Sequence, residues 1–328
     1  MPFVLRFLLR SAVLMLLVAV LPLAAQTVHK QRLPLSDLTH LYRPNKATSE
    51  LAFYLLPSRP PAPRGVLLLL PGFGGKAEHV FQETALGQEA AQAGFVTVVP
   101  TLNNRLYLDS AGTHFLDEVL RRVSQQYPTV GRNLFLGGFS AGGHVALAYA
   151  ETLIRDTARL PLRVQAVFGV DPPVDLANFW QVGQRRLTLP NCSPLLVQEG
   201  RSTMATLTQA FGGSPDQRPA AYRQYSAFSS SDPTGGNLAL LRATPVRVYC
   251  EPDLPFWRQR YCPSLQLEDL NAAMLQQLIA CLRRQGNSRA DYLETNGKGR
   301  IGKRPFPHSW SIVDAPECIR WLQAYVQQ

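Results

Sequence analysis

Short, uniformly apolar runs alternate along this sequence with segments of helical pattern. The clearest run is residues 66–70 (VLLLL), which Pro71 and Gly72 follow directly. A run that is apolar at every position is typical of a strand buried on both faces of a parallel sheet. Strands separated by helices require right-handed crossovers, and these build parallel sheets. The sequence therefore predicts an α/β fold with a mostly parallel central sheet flanked by helices.

The alternation is regular except for one long interruption. Strands are predicted at residues 51–56, 66–70, 95–99, 133–136, 164–170, 246–250 and 290–294, and helices at 78–93, 115–127, 141–153, 267–285 and 315–326. Residues 172–244 are rich in Pro, Gly, Ser and aromatic side chains and contain no clear strand. Because this segment is too long for a plain connection, we expect it to be a cap or lid inserted over the sheet.

The N-terminus has the pattern of a secretory signal peptide. Arg6 and Arg10 precede a short apolar stretch, 12–23, and small residues at 24–25. The apolar stretch is shorter than a membrane span requires, although an uncleaved anchor is the alternative. We expect cleavage after Ala25, one domain over residues 26–328, export to the periplasm or the medium, and no stable membrane span after processing.

Charge and composition exclude several classes of protein. With 46% hydrophobic and 17% charged residues, a chain of 328 residues is able to bury a large core. The formal net charge of +10 is spread along the chain, and its densest run, residues 298–304 (KGRIGKR), is short and lacks interleaved aromatics. We interpret this run as a solvated loop and expect no nucleic-acid partner. A basic surface would still attract anionic substrates.

The cysteines indicate disulfides rather than a metal site. There are five, Cys192, Cys250, Cys262, Cys281 and Cys318, so at least one thiol is unpaired. Export permits disulfides, and a disulfide between Cys250 and Cys262 is the first pairing to test. No CxxC motif or His/Cys cluster is present. The sequence predicts neither a metal nor a cofactor.

One serine stands in a catalytic pattern. Residues 136–144 read LGGFSAGGH, which places Ser140 between Gly138 and Gly142. The motif follows the predicted strand 133–136 and precedes the predicted helix 141–153. A strand, a sharp turn and a helix form the setting of a nucleophile elbow, whose crowding requires glycine on both sides. The alternative is that Ser140 only caps the helix.

With this elbow, residues 51–326 outside the insertion resemble the α/β-hydrolase superfamily, which includes serine esterases and lipases. The resemblance implies the order nucleophile, acid, histidine. His308, in PFPHSWSIVD before the last helix, is then the base, and His144 is a minor alternative. Asp253, in VRVYCEPD after a late strand, is the expected acid, with Asp171 at the end of the preceding strand as its main competitor.

The resemblance also implies two backbone donors for an oxyanion. Ala141 N–H follows the nucleophile, and Phe73 N–H lies in the glycine-rich loop 71–75 (PGFGG). Together these expectations predict an exported serine hydrolase that cleaves small-molecule or lipid-like carboxylic esters through an acyl-enzyme. A peptidase or amidase on the same fold and a catalytically silent binding protein are the alternatives. The sequence leaves the oligomeric state open.

Overall fold

The computed structural model describes residues 27–33, 51–102, 104–128 and 130–327, and within them an eight-stranded sheet forms the centre. The strands of this sheet are β1 His29–Arg32, β2 Ala52–Leu56, β3 Gly65–Leu70, β4 Phe95–Pro100, β5 Asn133–Phe139, β6 Arg163–Val170, β7 Val246–Cys250 and β8 Ala290–Glu294. Their order is β1-β2-β4-β3-β5-β6-β7-β8. All pairings from β4 to β8 are parallel, and β1 and β2 add antiparallel pairings at one edge. The predicted fold class is confirmed, whereas the predicted signal segment lies outside the described residues.

Helices cover both faces of the sheet. They are α1 Val80–Glu83, α2 Leu86–Gln92, α3 Ser110–Gln126, α4 Ala141–Arg155, α5 Leu176–Thr188, α6 Pro194–Phe211, α7 Pro219–Tyr225, α8 Leu254–Arg260, α9 Asn271–Arg284 and α10 Ala315–Gln323. A two-stranded hairpin, β9 Arg300–Ile301 and β10 Arg304–Pro305, precedes α10. None of the helices in the described ranges combines the length and apolar character that a membrane crossing would need.

The alternation of side chains along β3 divides the core into two layers. Val66, Leu68 and Leu70 belong to the cluster on one face of the sheet, and Leu67 and Leu69 belong to the cluster on the other. Each of these side chains is fully buried, which stabilises the fold by about 2 kcal/mol per residue. Helices α3, α4 and α9 contribute to the first cluster, and α2 and α10 to the second. This two-sided burial is the reason that β3 is apolar throughout.

The predicted helix over 78–93 is interrupted in the structure. Thr84 has extended backbone angles, φ −146° and ψ 146°, and separates α1 from α2. Its hydroxyl accepts a hydrogen bond from Leu86 N at 3.3 Å, which replaces a helical interaction at this point. Strand β5 is longer than predicted, because Gly137 and Gly138 continue it to Phe139.

The segment between β6 and β7 is helical. It contains α5, α6, α7 and a 3₁₀ helix at Gly236–Ala243, and none of its residues belongs to a described strand. Asp175 and Ser193 cap α5 and α6 with their side chains. Gly183 and Gly200 let these two helices approach closely, since a Cβ on Gly183 would lie 2.9 Å from the carbonyl oxygen of Gly200. That this segment acts as a lid stays a prediction.

Candidate active site

Ser140 lies in a sharp turn between β5 and α4. Its backbone has φ 52° and ψ −125°, and its hydroxyl makes no capping hydrogen bond to α4. A Cβ on Gly138 would lie 2.2 Å from the carbonyl oxygen of Gly142, and one on Gly142 would lie 2.3 Å from that of Leu70. Only glycine fits at either position. The turn therefore has the geometry of a nucleophile elbow, and the interpretation of Ser140 as a mere helix cap loses its support.

His308 pairs with Asp171. Its Nδ1 lies 2.5 Å from Asp171 Oδ2, so Nδ1 donates to the carboxylate and the lone pair of Nε2 stays available. Asp171 directly follows β6 and has a positive φ of 48°. Because β5 and β6 are neighbouring parallel strands, their carboxyl ends bring Ser140 and Asp171 to the same edge of the sheet. The side chain of His308 is 24% exposed, which leaves part of the ring open to a substrate.

Ser140, Asp171 and His308 line one small cavity of about 70 Å³. Phe179 of α5 and Glu199 of α6 contribute to its lining, as does Trp257 of α8. Two of the four non-glycine residues with positive φ in the described ranges, Ser140 and Asp171, therefore meet here. Such backbone strain costs about 1–3 kcal/mol per residue and is concentrated at functional sites.

Solved structures share this arrangement of strands and helices. A carboxyl esterase 2 from the fungus Tuber melanosporum superimposes with a TM-score of 0.55 at 14% identity, covering 92% of this chain and 88% of that one. A lipase/esterase from Lactobacillus plantarum gives 0.52 at 15%, covering 92% and 100%. An S-formylglutathione hydrolase from Agrobacterium tumefaciens gives 0.51 at 15%, covering 85% and 91%.

The chain has the α/β-hydrolase fold. No protein-family model matches the sequence, and no curated protein matches it significantly. The likeness to the solved structures therefore rests on the course of the backbone. At these identities it establishes the fold, and the chemistry depends on the residues of the site.

In this hydrolase fold, Asp253 does not hold the histidine. Its Oδ1 accepts a hydrogen bond from Phe256 N at 2.9 Å and so caps α8. The carboxylate is directed at the start of a helix because α8 begins one residue later, and Asp is a preferred capping residue. The structure therefore corrects the expectation that Asp253 orients His308, because Asp171, the alternative acid, occupies that position.

Glu251, the other acidic residue after β7, binds the loop that precedes His308. Its carboxylate accepts hydrogen bonds from Thr295 Oγ1, Lys298 N and Gly299 N at 2.9–3.2 Å. It is buried and fixes the loop that leads from β8 to the hairpin. Glu251 is thus placed to position the loop that leads to His308, and it also lines the cavity.

The second oxygen of Asp171 has a partner that sequence patterns did not single out. Cys250 Sγ, at the end of β7, donates to Asp171 Oδ1 at 3.2 Å. Asn271 Nδ2 donates to the backbone carbonyl of Asp171 at 2.9 Å. Both residues were hidden from sequence reasoning because their contacts span 79 and 100 positions. Cys250 holds the carboxylate that pairs with His308, and Asn271 holds the backbone of the same aspartate.

The expected pairing of Cys250 with Cys262 is wrong. Cys262 forms a disulfide with Cys192, whereas Cys250, Cys281 and Cys318 are buried free thiols. Cys250 lies at the sheet edge beside Asp171, and Cys262 lies beyond the end of α8. The odd count is explained by three unpaired core thiols.

The electrostatics of the pair are compatible with base catalysis. Burial lowers the pKa of His308, but the charge and the hydrogen bond of Asp171 outweigh this, so the pKa is raised above its ordinary value of 6.5. By contrast, burial lowers the pKa of His144 to about 4. His144 is fully buried, and its Nε2 lies 3.0 Å from the carbonyl oxygen of Tyr225. His144 is therefore a neutral structural residue and does not line the cavity.

Ala141 and Phe73 carry the two amides that were expected to bind the oxyanion. Within the described ranges neither Ala141 N nor Phe73 N donates a hydrogen bond to another residue. The loop that carries Phe73 is closed by a hydrogen bond from Gly75 N to the carbonyl oxygen of Gly72. It follows β3, the neighbour of β5, so its start touches the elbow at Gly142.

In the described part of the chain no group of three or more His, Cys, Asp or Glu side chains is arranged to hold a metal ion.

Proposed function

We propose that this protein is a serine hydrolase that cleaves carboxylic esters, with Ser140 as nucleophile, His308 as base and Asp171 as acid. The observation that carries the proposal is the strained Ser140 elbow in one cavity with the His308–Asp171 pair. Known structures of similar fold that are described as carboxyl esterase and lipase/esterase support the choice of ester.

The mechanism is acyl transfer to water. His308 Nε2 takes the proton of the Ser140 hydroxyl while Oγ attacks the ester carbonyl, and Asp171 stabilises the resulting imidazolium. The N–H groups of Phe73 and Ala141 stabilise the oxyanion. Nε2 then gives the proton to the leaving oxygen as the C–O bond breaks. Water repeats the sequence on the acyl-enzyme, which releases the carboxylic acid and restores Ser140.

The size of the cavity favours a short acyl group. A volume of about 70 Å³ corresponds to only a few water molecules. Phe179 and Trp257 contribute bulky aromatic walls to this cavity. We infer that acetyl and propionyl esters are hydrolysed faster than octanoyl esters, and that α5 and α6 act as the lid that closes the site.

Labelling with a fluorophosphonate probe tests the nucleophile. Wild type should label, and Ser140→Ala should not. The control is Ser288→Ala, which removes an exposed hydroxyl between α9 and β8, outside the cavity lining, and should leave labelling intact. Equal labelling of wild type and Ser140→Ala would refute the proposal. p-Nitrophenyl esters of increasing chain length, with an acetyl anilide for comparison, then test acyl size and ester preference.

The disulfide and the N-terminal pattern support an exported enzyme. A disulfide such as Cys192–Cys262 persists in oxidising compartments. Fractionation of cells that express the full chain tests export, and recovery of the unprocessed chain in the cytoplasm alone would refute it.

A further inference from the structure

A groove of about 730 Å³ lies beside the catalytic cavity, about ten times larger than the cavity itself. Its walls are aromatic, from Phe256 and Tyr261 of the α8 region and Phe306 just after the hairpin. Ile301 at its rim is 59% exposed. Apolar walls with a few polar groups are typical of a small-molecule site.

One indole ring borders both the catalytic cavity and the aromatic walls of the groove. Trp257 lines the catalytic cavity, and its ring centroid lies 5.2 Å from that of Tyr261 and 5.9 Å from that of Phe306. Phe306 stands two residues before His308 on the same loop. The ring contact between Trp257 and Phe306 therefore links the groove to the cavity that holds Ser140 and His308.

The charged groups of the groove are cationic. Arg260 and Arg304 line it together with Gln259, and no carboxylate belongs to its lining. Neither guanidinium has a salt-bridge partner in the described part of the chain, although Arg159, Arg185 and Arg247 all pair with carboxylates. A second depression that borders the hairpin, of about 380 Å³, is lined by both Glu83 and Arg300 and has no such excess. Unpaired guanidiniums are suited to bind carboxylate or phosphate.

We infer that the groove binds the leaving group of the substrate, and that this leaving group is an aromatic or extended alcohol bearing a carboxylate or phosphate. The inference rests on the proposed function and deepens it. The aromatic walls hold the body of the alcohol, and the two arginines hold its charge. The run KGRIGKR is then part of a substrate site rather than only a solvated loop.

Two esters of matched shape test the charge preference. 4-Acetoxybenzoate has a carboxylate on its leaving group, and its methyl ester has the same frame without the charge. We compare kcat/KM for the carboxylate with kcat/KM for its methyl ester, as the ratio of the first to the second. This ratio removes any general effect on turnover. We expect this ratio to fall about fivefold in Arg260→Gln and in Arg304→Gln, and tenfold or more in the double variant. The control Arg132→Gln removes the same charge at the amino end of β5, where it should leave the ratio unchanged.

Ionic strength and direct binding complete the test. Raising salt from about 20 mM to about 300 mM should lower the ratio for wild type but not for the double variant. Calorimetric binding of 4-hydroxybenzoate needs no turnover and should weaken in the double variant. Wild-type ratio and binding in that variant would overturn the inference while leaving the proposed function intact. An equal loss with mono-p-nitrophenyl succinate, whose charge is on the acyl side, would overturn the assignment to the leaving group.

Discussion

At the scale of single residues, the site depends on which carboxylate reaches His308. Asp171 Oδ2 lies 2.5 Å from His308 Nδ1, whereas Asp253 Oδ1 is bonded to the backbone N–H of Phe256. The two aspartates follow the adjacent parallel strands β6 and β7, so both lie where the carboxyl ends of these strands meet. Asp171 has a positive φ, whereas Asp253 stands at the start of α8, so their side chains reach different partners.

Exchange of each aspartate for asparagine separates these roles. Asp171→Asn should lower kcat by about 10³–10⁴-fold, because the amide favours the wrong tautomer of His308 and leaves the imidazolium without a counter-charge. Asp253→Asn should stay within about twofold in kcat and about 1 kcal/mol in stability, since Asn caps helices as Asp does. Steady-state kinetics and melting curves of both variants give the comparison. A severe loss in Asp253→Asn with mild kinetics in Asp171→Asn would reverse the assignment.

Cys250 is placed to position Asp171, and a pH profile tests this role. Its thiol withdraws charge from Oδ1, so Cys250→Ala should concentrate negative charge on Oδ2 and raise the pKa of His308 further. The neutral imidazole is the base, so kcat/KM rises with pH through that pKa, which already lies above 6.5. We expect the acid limb to move to higher pH and kcat to fall about threefold to fivefold.

The matched variants are Cys250→Ser, which retains a hydroxyl donor, and Cys281→Ala, which removes a buried thiol elsewhere in the core. The serine variant should restore most of the wild-type profile, and Cys281→Ala should keep it. An unmoved acid limb in Cys250→Ala would mean that the thiol only fills space.

At the scale of elements, His144 connects α4 of the elbow to α7 of the segment between β6 and β7. Its pKa in the folded state is lowered to about 4 by burial, so below pH 6.5 the unfolded chain binds the proton more readily. The free energy of unfolding should therefore fall as pH drops from 6.5 towards 4, by about 2–3 kcal/mol at pH 4.5. This contribution is fully present only above pH 6.5.

Urea unfolding at pH 7 and pH 4.5 measures the effect. In His144→Gln, which keeps an N–H donor for the carbonyl of Tyr225, the difference between the two pH values should shrink by that amount. His79→Gln, at an exposed position, should keep the wild-type difference. An unchanged difference in His144→Gln would show that other groups cause the acid sensitivity.

At the scale of the whole molecule, the disulfide connects two parts of the wall of the candidate active site. Cys192 lies just before α6, Cys262 lies just after α8, and 70 positions separate them. Ser193 N also donates to the carbonyl oxygen of Tyr261, so the two segments meet at the backbone as well. The helix that lines both the cavity and the groove is therefore anchored to the inserted segment.

Loss of this crosslink should lower the free energy of unfolding by about 3–4 kcal/mol, because it releases a long loop in the unfolded chain. The paired variant Cys192→Ala/Cys262→Ala should have this lower stability with or without reductant. Wild type and Cys281→Ala should lose stability only when reductant is added, as measured by urea denaturation. A Cys281→Ala protein that is insensitive to reductant would contradict the pairing.

Local sequence patterns predicted strands β2 to β8 and the glycine-bounded turn at Ser140, although they did not predict β1. The run 66–70 is apolar because both faces of β3 are buried, and residues 246–250 and 290–294 match β7 and β8 residue for residue. Gly138 and Gly142 mark the elbow because close backbone contacts there exclude any Cβ. These features depend on short-range sterics and periodicity, so they are visible in the sequence.

The acid, the cysteine pairs and the groove were decided only by the tertiary structure. Asp171 and Asp253 have similar surroundings in sequence, and what separates them is the start of α8 immediately after Asp253 and the positive φ of Asp171. Cys262 pairs across 70 positions, and the groove joins α8 to a hairpin about 40 residues later. Such contacts depend on where distant segments meet in space, and local sequence periodicity carries no information about those meetings.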